Sequence, residues 1–270
     1  MKAAVLGSPI SHSLSPVLHR AAYAALGLDW DYAAIEVDDV RLAAFVDACG
    51  PEWRGLSLTM PLKTAILPLL DTASDLVGLV GAANTVVFSD GERSGHNTDV
   101  PGMRRAIAEA AGAGFAPRTA TILGGGATAR SAVAASAMLG VTDVHVALRT
   151  MGRSSEFDDL STNLGITLHP HGWAEARHHL DTDVVVATTP PGTVDHLAPA
   201  VPAGPGVLLD VAYGAGHSAL LTSWVREGGA AADGLDLLLW QAADQVALMT
   251  GRAAPVDAMR AALTAVSGGP

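Results

Sequence analysis

Residues 119–123 read Thr-Ala-Thr-Ile-Leu and run directly into Gly124-Gly125-Gly126-Ala127-Thr128-Ala129-Arg130. A β-prone apolar run, a glycine turn and a small-residue helical start leave few folds open. Gly124, Gly126 and Ala129 fit the spacing G-x-G-x-x-G/A. The first glycine permits a tight turn, and the second lets backbone amides approach a diphosphate. The small third residue lets the helix pack on the strand. With a strand before it and a helix after it, this fingerprint predicts a dinucleotide site around Gly124, Gly125, Gly126 and Ala127.

The end of the next strand selects the dinucleotide. An NAD site carries Asp or Glu there, to accept from the ribose 2′-hydroxyl. This chain reads Ala147-Leu148-Arg149-Thr150-Met151-Gly152-Arg153, with no carboxylate before Glu156. Arg149 and Arg153 instead offer guanidinium forks suited to a 2′-phosphate, so NADP is the expected cofactor. Thr150 joins the same expected set. The apolar run 183–187 leads into Thr188-Thr189-Pro190-Pro191-Gly192, a polar loop where open α/β sheets bind ligands. This loop, Thr188 included, is expected to line the cofactor's adenosine or ribose side.

Short apolar runs alternate with helical patterns along the chain. Strands are expected at 3–6, 32–37, 55–58, 82–88, 119–123, 143–148, 183–187 and 207–211. Helices are expected at 16–26, 40–49, 100–111 and 127–139, and residues 235–266 read as two helices broken at Gly251 and Pro255. Such alternation implies mainly parallel sheets covered on both faces. The restart at 119 implies two domains, with a hinge near the glycine joint Gly112-Ala113-Gly114.

Only two lysines, Lys2 and Lys63, stand among the sixteen lysines and arginines. Unlike arginine, lysine can give and take a proton near neutral pH. Lys63 closes the stretch Ser57-Leu58-Thr59-Met60-Pro61-Leu62, and the polar loop Gly95-His96-Asn97-Thr98-Asp99 offers one carboxylate. Lys63 and Asp99 are therefore the candidate proton-transfer pair. Ser13 and Ser15 stand in a hydroxyl-rich loop ahead of a helix, with Ser15 expected as N-cap and Pro16 at the first helical position. With Ser57, Thr59, Asn84-Thr85 and Asn97-Thr98 they supply many neutral hydrogen-bonding groups, which suits a polyhydroxylated ligand.

Ser13-Leu14-Ser15-Pro16, Thr59-Met60-Pro61-x-Lys63, Gly81-Ala82-x-Asn84-Thr85 and Gly95-x-Asn97-Thr98-Asp99 follow one another along the chain. The glycine loop, Arg149-Thr150, Asp210-Val211-x-Tyr213, Gly234-Leu235-x-x-Leu238-x-x-Gln241 and Thr250-Gly251-x-x-Ala254-Pro255 come after them. In this order they resemble the shikimate dehydrogenase family, over nearly the whole chain. The resemblance implies an α/β fold of two domains with a cleft between them. An N-terminal, mainly parallel α/β substrate domain would span residues 1–100. A Rossmann-type NADP-binding domain would span 101–236, and helices over 237–270 would return to the first domain. It also implies the reaction, the reversible NADPH-dependent reduction of 3-dehydroshikimate to shikimate. By the same resemblance Ser13 and Ser15 hold the substrate carboxylate, with Tyr213 nearby. Thr59, Lys63, Asn84, Asp99 and Gln241 hold the ring hydroxyls, Lys63 and Asp99 are catalytic, and Gly234 joins the cofactor set. Several positions depart from the family's pattern: Ser57 and Leu148 stand where asparagine is common, Leu62 where an aromatic or histidine is common, Ala127 in place of a glycine, and Gly214–His217 lacks the usual proline after Tyr213.

Three other readings share this plan: a paralogue acting on quinate or an aminated analogue, a catalytically silent NADP-binding sensor, and a methylenetetrahydrofolate dehydrogenase-like enzyme. Retention of Lys63 and Asp99 argues against the sensor. Ser13, Ser15 and Gln241 favour a small hydroxylated acid over a folate. A net charge of -11 argues against nucleic-acid and anionic-membrane partners, leaving a small-molecule substrate, with a homodimer kept open. The single cysteine, Cys49, excludes an internal disulfide and fits a reducing cytosol. No apolar run is long enough to span a bilayer, so a cytoplasmic location is expected. His169, His171, His178 and His179 match no ligand spacing and are read as solvated positions, so no metal is expected.

Overall fold

Ala3-Ala4-Val5-Leu6 is apolar at every position, and the structure buries it on both faces. The computed structural model describes residues 1–214 and 216–268. The chain divides into two units, Met1–Thr98 with Leu238–Pro270, and Asp99–Leu237.

The first unit begins with β1 (Lys2–Gly7), α1 (Ser15–Ala25), β2 (Asp31–Glu36), α2 (Asp39–Asp47), β3 (Trp53–Leu58) and α3 (Leu62–Ala65). It continues with β4 (Thr72–Ala73), α4 (Asp75–Val80), β5 (Thr85–Ser89) and β6 (Glu92–His96). The sheet order is β2-β1-β3-β5-β6-β4. β1 is parallel to both its neighbours, whereas β3, β5 and β6 pair antiparallel. Alternation along β1 sorts its side chains. Ala4 and Leu6 join Leu42 and Val46 of α2 and Leu62 and Ile66 around α3. Ala3 and Val5 join Tyr23, Tyr32 and Met249 on the other face. Leu62 stands in that core, fully buried, which accounts for an aliphatic residue at this position.

The second unit holds α5 (Asp99–Ala111), β7 (Thr119–Leu123), α6 (Ala127–Met138), β8 (Asp143–Leu148), α7 (Asp158–Leu164) and β9 (Thr167–Gly172). β10 (Val184–Ala187), β11 (Val207–Asp210), α8 (Ala219–Arg226) and β12 (Ala230–Ala232) complete it. All its strands are parallel, in the order β12-β11-β10-β7-β8-β9. This is the doubly wound order, and it reverses direction between β7 and β10. The last two helices are α9 (Gly234–Thr250) and α10 (Val256–Ser267), and α10 packs on α1. Among the described residues no helix is long and apolar enough to cross a membrane.

Several elements differ from the sequence expectation. Gly95-His96, expected at the start of a polar loop, instead close a strand, β6 (Glu92–His96). The Asp90-Gly91 turn, with φ of 52° and 84°, folds it back on β5 although it carries no apolar side chain. β5 begins at Thr85 rather than 82, because Asn84 is engaged elsewhere. β9 carries Pro170, which its edge position tolerates. β12 is three alanines with no strand signature of its own. Gly112–Gly114 falls inside the second unit, since α5 packs on β11, β12 and α6.

A polar network lies buried in the first unit. Tyr32 donates to Ser57 Oγ (2.6 Å), and Ser57 donates to Gln245 Oε1 (2.6 Å). His19 Nε2 also faces Gln245 Oε1 (3.2 Å), so that nitrogen carries the proton, and Nδ1 faces the Tyr23 hydroxyl (3.3 Å). The His19 ring stacks on Tyr32 at 3.9 Å. Ser57, where the family favours asparagine, is thus a core hydroxyl. Burial pushes the His19 pKa from 6.5 down to about 3, against a smaller opposing effect of Gln245.

The unfolded chain therefore takes up this proton first as pH falls. The stability tied to neutral His19 is complete above about pH 6.5 and is lost on acidification towards about pH 3. We expect this residue alone to add up to about 1.4 kcal/mol per pH unit to the slope of stability in that window. Denaturant titrations at several pH values should show a flatter slope for His19→Gln; equal slopes would contradict the assignment.

Candidate active site

Gly7 ends β1 at a point of close approach. A Cβ there would strike the Thr59 methyl and crowd the Met60 carbonyl. Its absence lets the chain after β3 fold over the end of β1, with Thr59 N donating to Leu6 O (2.9 Å) and Ser8 N to Met60 O (3.1 Å). Thr59 is half-buried there, and Lys63, also half-buried, is the second residue of α3. The Lys63 carbonyl accepts from Ala83 N (2.8 Å).

Asn84 fastens the next segment. Its Oδ1 accepts from Thr98 N (2.8 Å) and its Nδ2 donates to Thr98 Oγ1 (2.9 Å). Its carbonyl accepts from Leu58 N (2.8 Å) and from Gln245 Nε2 (3.2 Å). Asn97 Nδ2 donates to Ala82 O (2.9 Å). The residue that follows Thr98 is Asp99, buried as the first residue of α5. Gln241 lies one helical turn before Gln245 on α9, buried, with Nε2 donating to Leu238 O (2.9 Å).

The Ser13–Ser15 loop differs from expectation in one respect. The N-cap of α1 is Leu14, with no side-chain cap, and Ser15 is the first helical residue. Ser15 N donates to Ser13 Oγ (3.4 Å), while the buried Ser15 hydroxyl interacts with Tyr32. Its side chain thus turns towards the core network instead of the helix's amides. The first unit places Ser13, Ser15, Thr59, Lys63, Asn84 and Gln241 on elements tied together by these bonds. Asp99 and Tyr213 belong to the second unit.

In the second unit, the glycine loop lies where the strand order reverses. Gly124 has φ +132°, a conformation open to glycine, and a Cβ there would strike Thr188 Oγ1. Thr188 in turn donates through N (2.9 Å) and Oγ1 (3.0 Å) to Leu123 O. Gly126 is the exposed N-cap of α6, with open space where a Cβ would stand. Ala129 is fully buried against the sheet, as the fingerprint requires. Leu148 packs on the loop, its Cδ2 2.7 Å from where a Gly125 Cβ would sit. The residue where the family favours asparagine thus contributes a wall rather than a hydrogen bond.

Arg149 and Thr150 are exposed at the carboxyl end of β8. Arg149 makes no hydrogen bond or ion pair among the described residues, so its fork is available to a phosphate. Arg153 is engaged: Glu156 takes it in a two-pronged pair, Nε to Oε1 at 2.7 Å and a second nitrogen to Oε2 at 2.8 Å. The carboxylate absent from the strand end thus occupies one of the two expected forks. Two further features depend on side-chain placement. Arg130, in the first turn of α6, lies over the Phe157 ring at 5.9 Å. The Thr189 hydroxyl is buried without a hydrogen-bond partner among the described residues.

The loop after β11 carries Tyr213, half-buried. Asp210 shapes that loop by accepting from Ala212 N (3.2 Å). Burial, with the Asp195 and Asp233 charges, holds its carboxyl above the usual range. Gly234 opens α9 against the same loop, since a Cβ there would meet the Val211 and Ala212 carbonyls. Asp233 accepts from Leu235 N (2.8 Å) and Asp236 N (3.2 Å), and Asp236 accepts in return from Asp233 N (3.1 Å). This reciprocal capping fixes the helix start.

A parallel sheet in doubly wound order, a glycine cradle at its reversal point, an unpartnered threonine hydroxyl beside it and an open guanidinium at the second strand define a dinucleotide-binding α/β protein. The description "Shikimate dehydrogenase substrate binding domain" matches residues 5–86, and "Shikimate 5'-dehydrogenase C-terminal domain" matches residues 234–264. The NADP(+) shikimate dehydrogenase of Moorella thermoacetica is 37% identical, over 99% of this chain and 95% of its own. The shikimate dehydrogenase structure from Mycobacterium tuberculosis is 40% identical, with TM-score 0.88 over 98% of this chain and 99% of its own. That of Thermus thermophilus, in complex with NADP(H) and shikimate, is 31% identical, with TM-score 0.85 over 98% and 99%. The chain belongs to the shikimate dehydrogenase family.

The Gly124 geometry carries an expectation of its own. Gly124→Ala should lower stability by about 1–3 kcal/mol, because the added methyl meets Thr188 in a backbone conformation that only glycine adopts readily. Urea denaturation checks this; an unchanged midpoint would show that the turn relaxes freely.

Proposed function

We propose that this protein catalyses the reversible, NADPH-dependent reduction of 3-dehydroshikimate to shikimate. The observation that carries the reading is likeness along the whole chain to a protein named shikimate dehydrogenase (NADP(+)), at 37% identity over 99% of its residues. The donor set agrees with it, with neutral hydroxyls and amides in one unit and a glycine cradle with an open arginine in the other.

When bound, NADPH supplies the hydride to the substrate ketone. Lys63 gives the carbonyl oxygen its proton and takes it back in the reverse direction. Its ammonium group also stabilises the negative charge that builds on that oxygen. Asp99 provides the partner carboxylate that orients the ammonium. Ser13 and Ser15, with Tyr213, hold the substrate carboxylate, and Thr59, Asn84 and Gln241 hold its ring hydroxyls. The backbone of Gly124, Gly125, Gly126 and Ala127 takes the diphosphate at the start of α6. Arg149 takes the 2′-phosphate, with a smaller share for Arg153 because Glu156 competes for it. Thr150, Thr188 and Gly234 complete the cofactor set. Residues 1–100 and 237–270 thus serve the substrate, and 101–236 serve NADP. A cytoplasmic location goes with this reading, since the single thiol, Cys49, needs no oxidising compartment. The option of a homodimer remains part of it.

Lys63→Ala should abolish turnover, by at least about a hundredfold, while NADP binding measured by fluorescence or calorimetry persists. Near-normal rates would remove the proton-transfer role. Arg149→Ala should weaken NADP by roughly 1.5–3 kcal/mol, the range of a charged hydrogen bond, and leave NAD nearly unchanged. An equal loss for both cofactors, or none, would refute the 2′-phosphate assignment.

A further inference from the structure

Four histidines of the second unit, His145, His169, His171 and His179, stand together half-buried, whereas His178 is exposed as expected. His145 on β8 pairs in register with His169 on β9, and His171 follows two residues along, on the same face of the sheet. His179, just after the short helical segment Trp173–His178, closes over them, with its carbonyl held by the Thr121 hydroxyl of β7. The His145 ring stacks on His179 at 4.5 Å and lies 5.1 Å from His171, while His171 stacks on His179 at 3.9 Å. All three rings are half-buried. One ring nitrogen from each of His145, His171 and His179 lies within 4.8 Å of the other two.

We propose that His145, His171 and His179 form a binding site for a divalent transition-metal ion of borderline softness, with Zn(II) as the reference case. Three neutral imidazoles with no thiolate suit Zn(II), Co(II), Ni(II) or Cu(II) and do not suit Mg(II) or Ca(II). The nitrogens already converge: His145 Nδ1 and His171 Nε2 share a hydrogen bond at 2.8 Å. An ion would replace that shared proton. Imidazole nitrogens about 2.0–2.1 Å from a tetrahedral zinc stand roughly 3.4 Å apart, so the ion would draw the nitrogens together by turning the rings out of their stacked arrangement. A carboxylate stands behind one ligand, since Glu175 faces the other His171 nitrogen, Nδ1, at 3.9 Å. Brought to hydrogen-bonding distance, that carboxylate would fix the tautomer and raise ligand basicity. Burial first, and then mutual repulsion among the rings, lowers the pKa of His145 and His179. The protein's net charge of -11 adds a general attraction for cations. A bound ion would tie edge strand β9 and the segment 173–179 to β8.

The test uses the full-length, tag-free protein after chelator treatment. Co(II) and Zn(II) are titrated in, with Co(II) absorption and metal content after gel filtration as readouts. One ion per chain should be retained, with a Co(II) spectrum of nitrogen-dominated coordination and a rise in thermal midpoint on Zn(II) addition. His171→Asn and His145→Gln, each confirmed as folded by circular dichroism, should bind at least about tenfold more weakly and lose that rise. Glu175→Gln should bind more weakly than the wild type while keeping the same spectrum. Absence of stoichiometric binding, or binding as tight as the wild type's in the two histidine variants, would overturn the proposal. None of these readouts depends on which substrate the enzyme reduces.

Discussion

The double hydrogen bond between the Asn84 amide and Thr98 is the constraint from which much of the first unit follows. One residue uses its side chain to hold the chain just before Asp99. Through its backbone it holds the end of β3 and the α9 glutamine Gln245. The preceding residue, Ala83, takes the Lys63 carbonyl. The backbones around the two proposed catalytic residues are therefore set by adjacent residues of one buried segment. Leaving such a group unpaired in the interior would cost about 1–3 kcal/mol for each donor or acceptor, which makes the segment's geometry hard to change piecemeal.

Gln245 extends that constraint into the core. It receives Ser57 and His19 on its oxygen and reaches Asn84 and Thr85 with its nitrogen. Helix α9 is thereby keyed to β3, β5 and α1 by hydrogen bonds as well as by apolar packing. Apolar burial alone would tolerate sliding of this helix, whereas a satisfied polar network fixes its register. Gln241, one turn earlier on the same helix, inherits that register. The second unit uses a different device, close backbone approach. Gly124 and Gly234 bring loop and helix starts against neighbouring carbonyls and side chains where no Cβ fits.

The fold was legible where the sequence carries strong local signals. β7, β8 and the start of α6 fell where an apolar run, a glycine turn and a helical start required them. The elements that sequence alone missed have none of those marks. β6 is Glu-Arg-Ser-Gly-His and β12 is Ala-Ala-Ala, and each becomes a strand only because a neighbour supplies the ladder. At the site, Arg149 was readable from the strand end, but the capture of Arg153 by Glu156 depends on side-chain placement. Serine ahead of a helix usually caps it, whereas Tyr32 draws Ser15 inward. The histidine group was invisible for another reason. His145 and His171 lie 26 positions apart and meet only because β8 and β9 are parallel neighbours.

The function turns on which substrate and which cofactor the protein takes. The most direct measurement follows nicotinamide absorbance with purified protein offered shikimate, quinate and an aminated shikimate, each with NADP and with NAD. Strong turnover of shikimate with NADP, and little with any other combination, is expected. Turnover of a different acid would keep the cofactor site and move the substrate. Silence across the whole panel, with NADP still bound, would contradict the account and leave a nucleotide-binding protein without this chemistry.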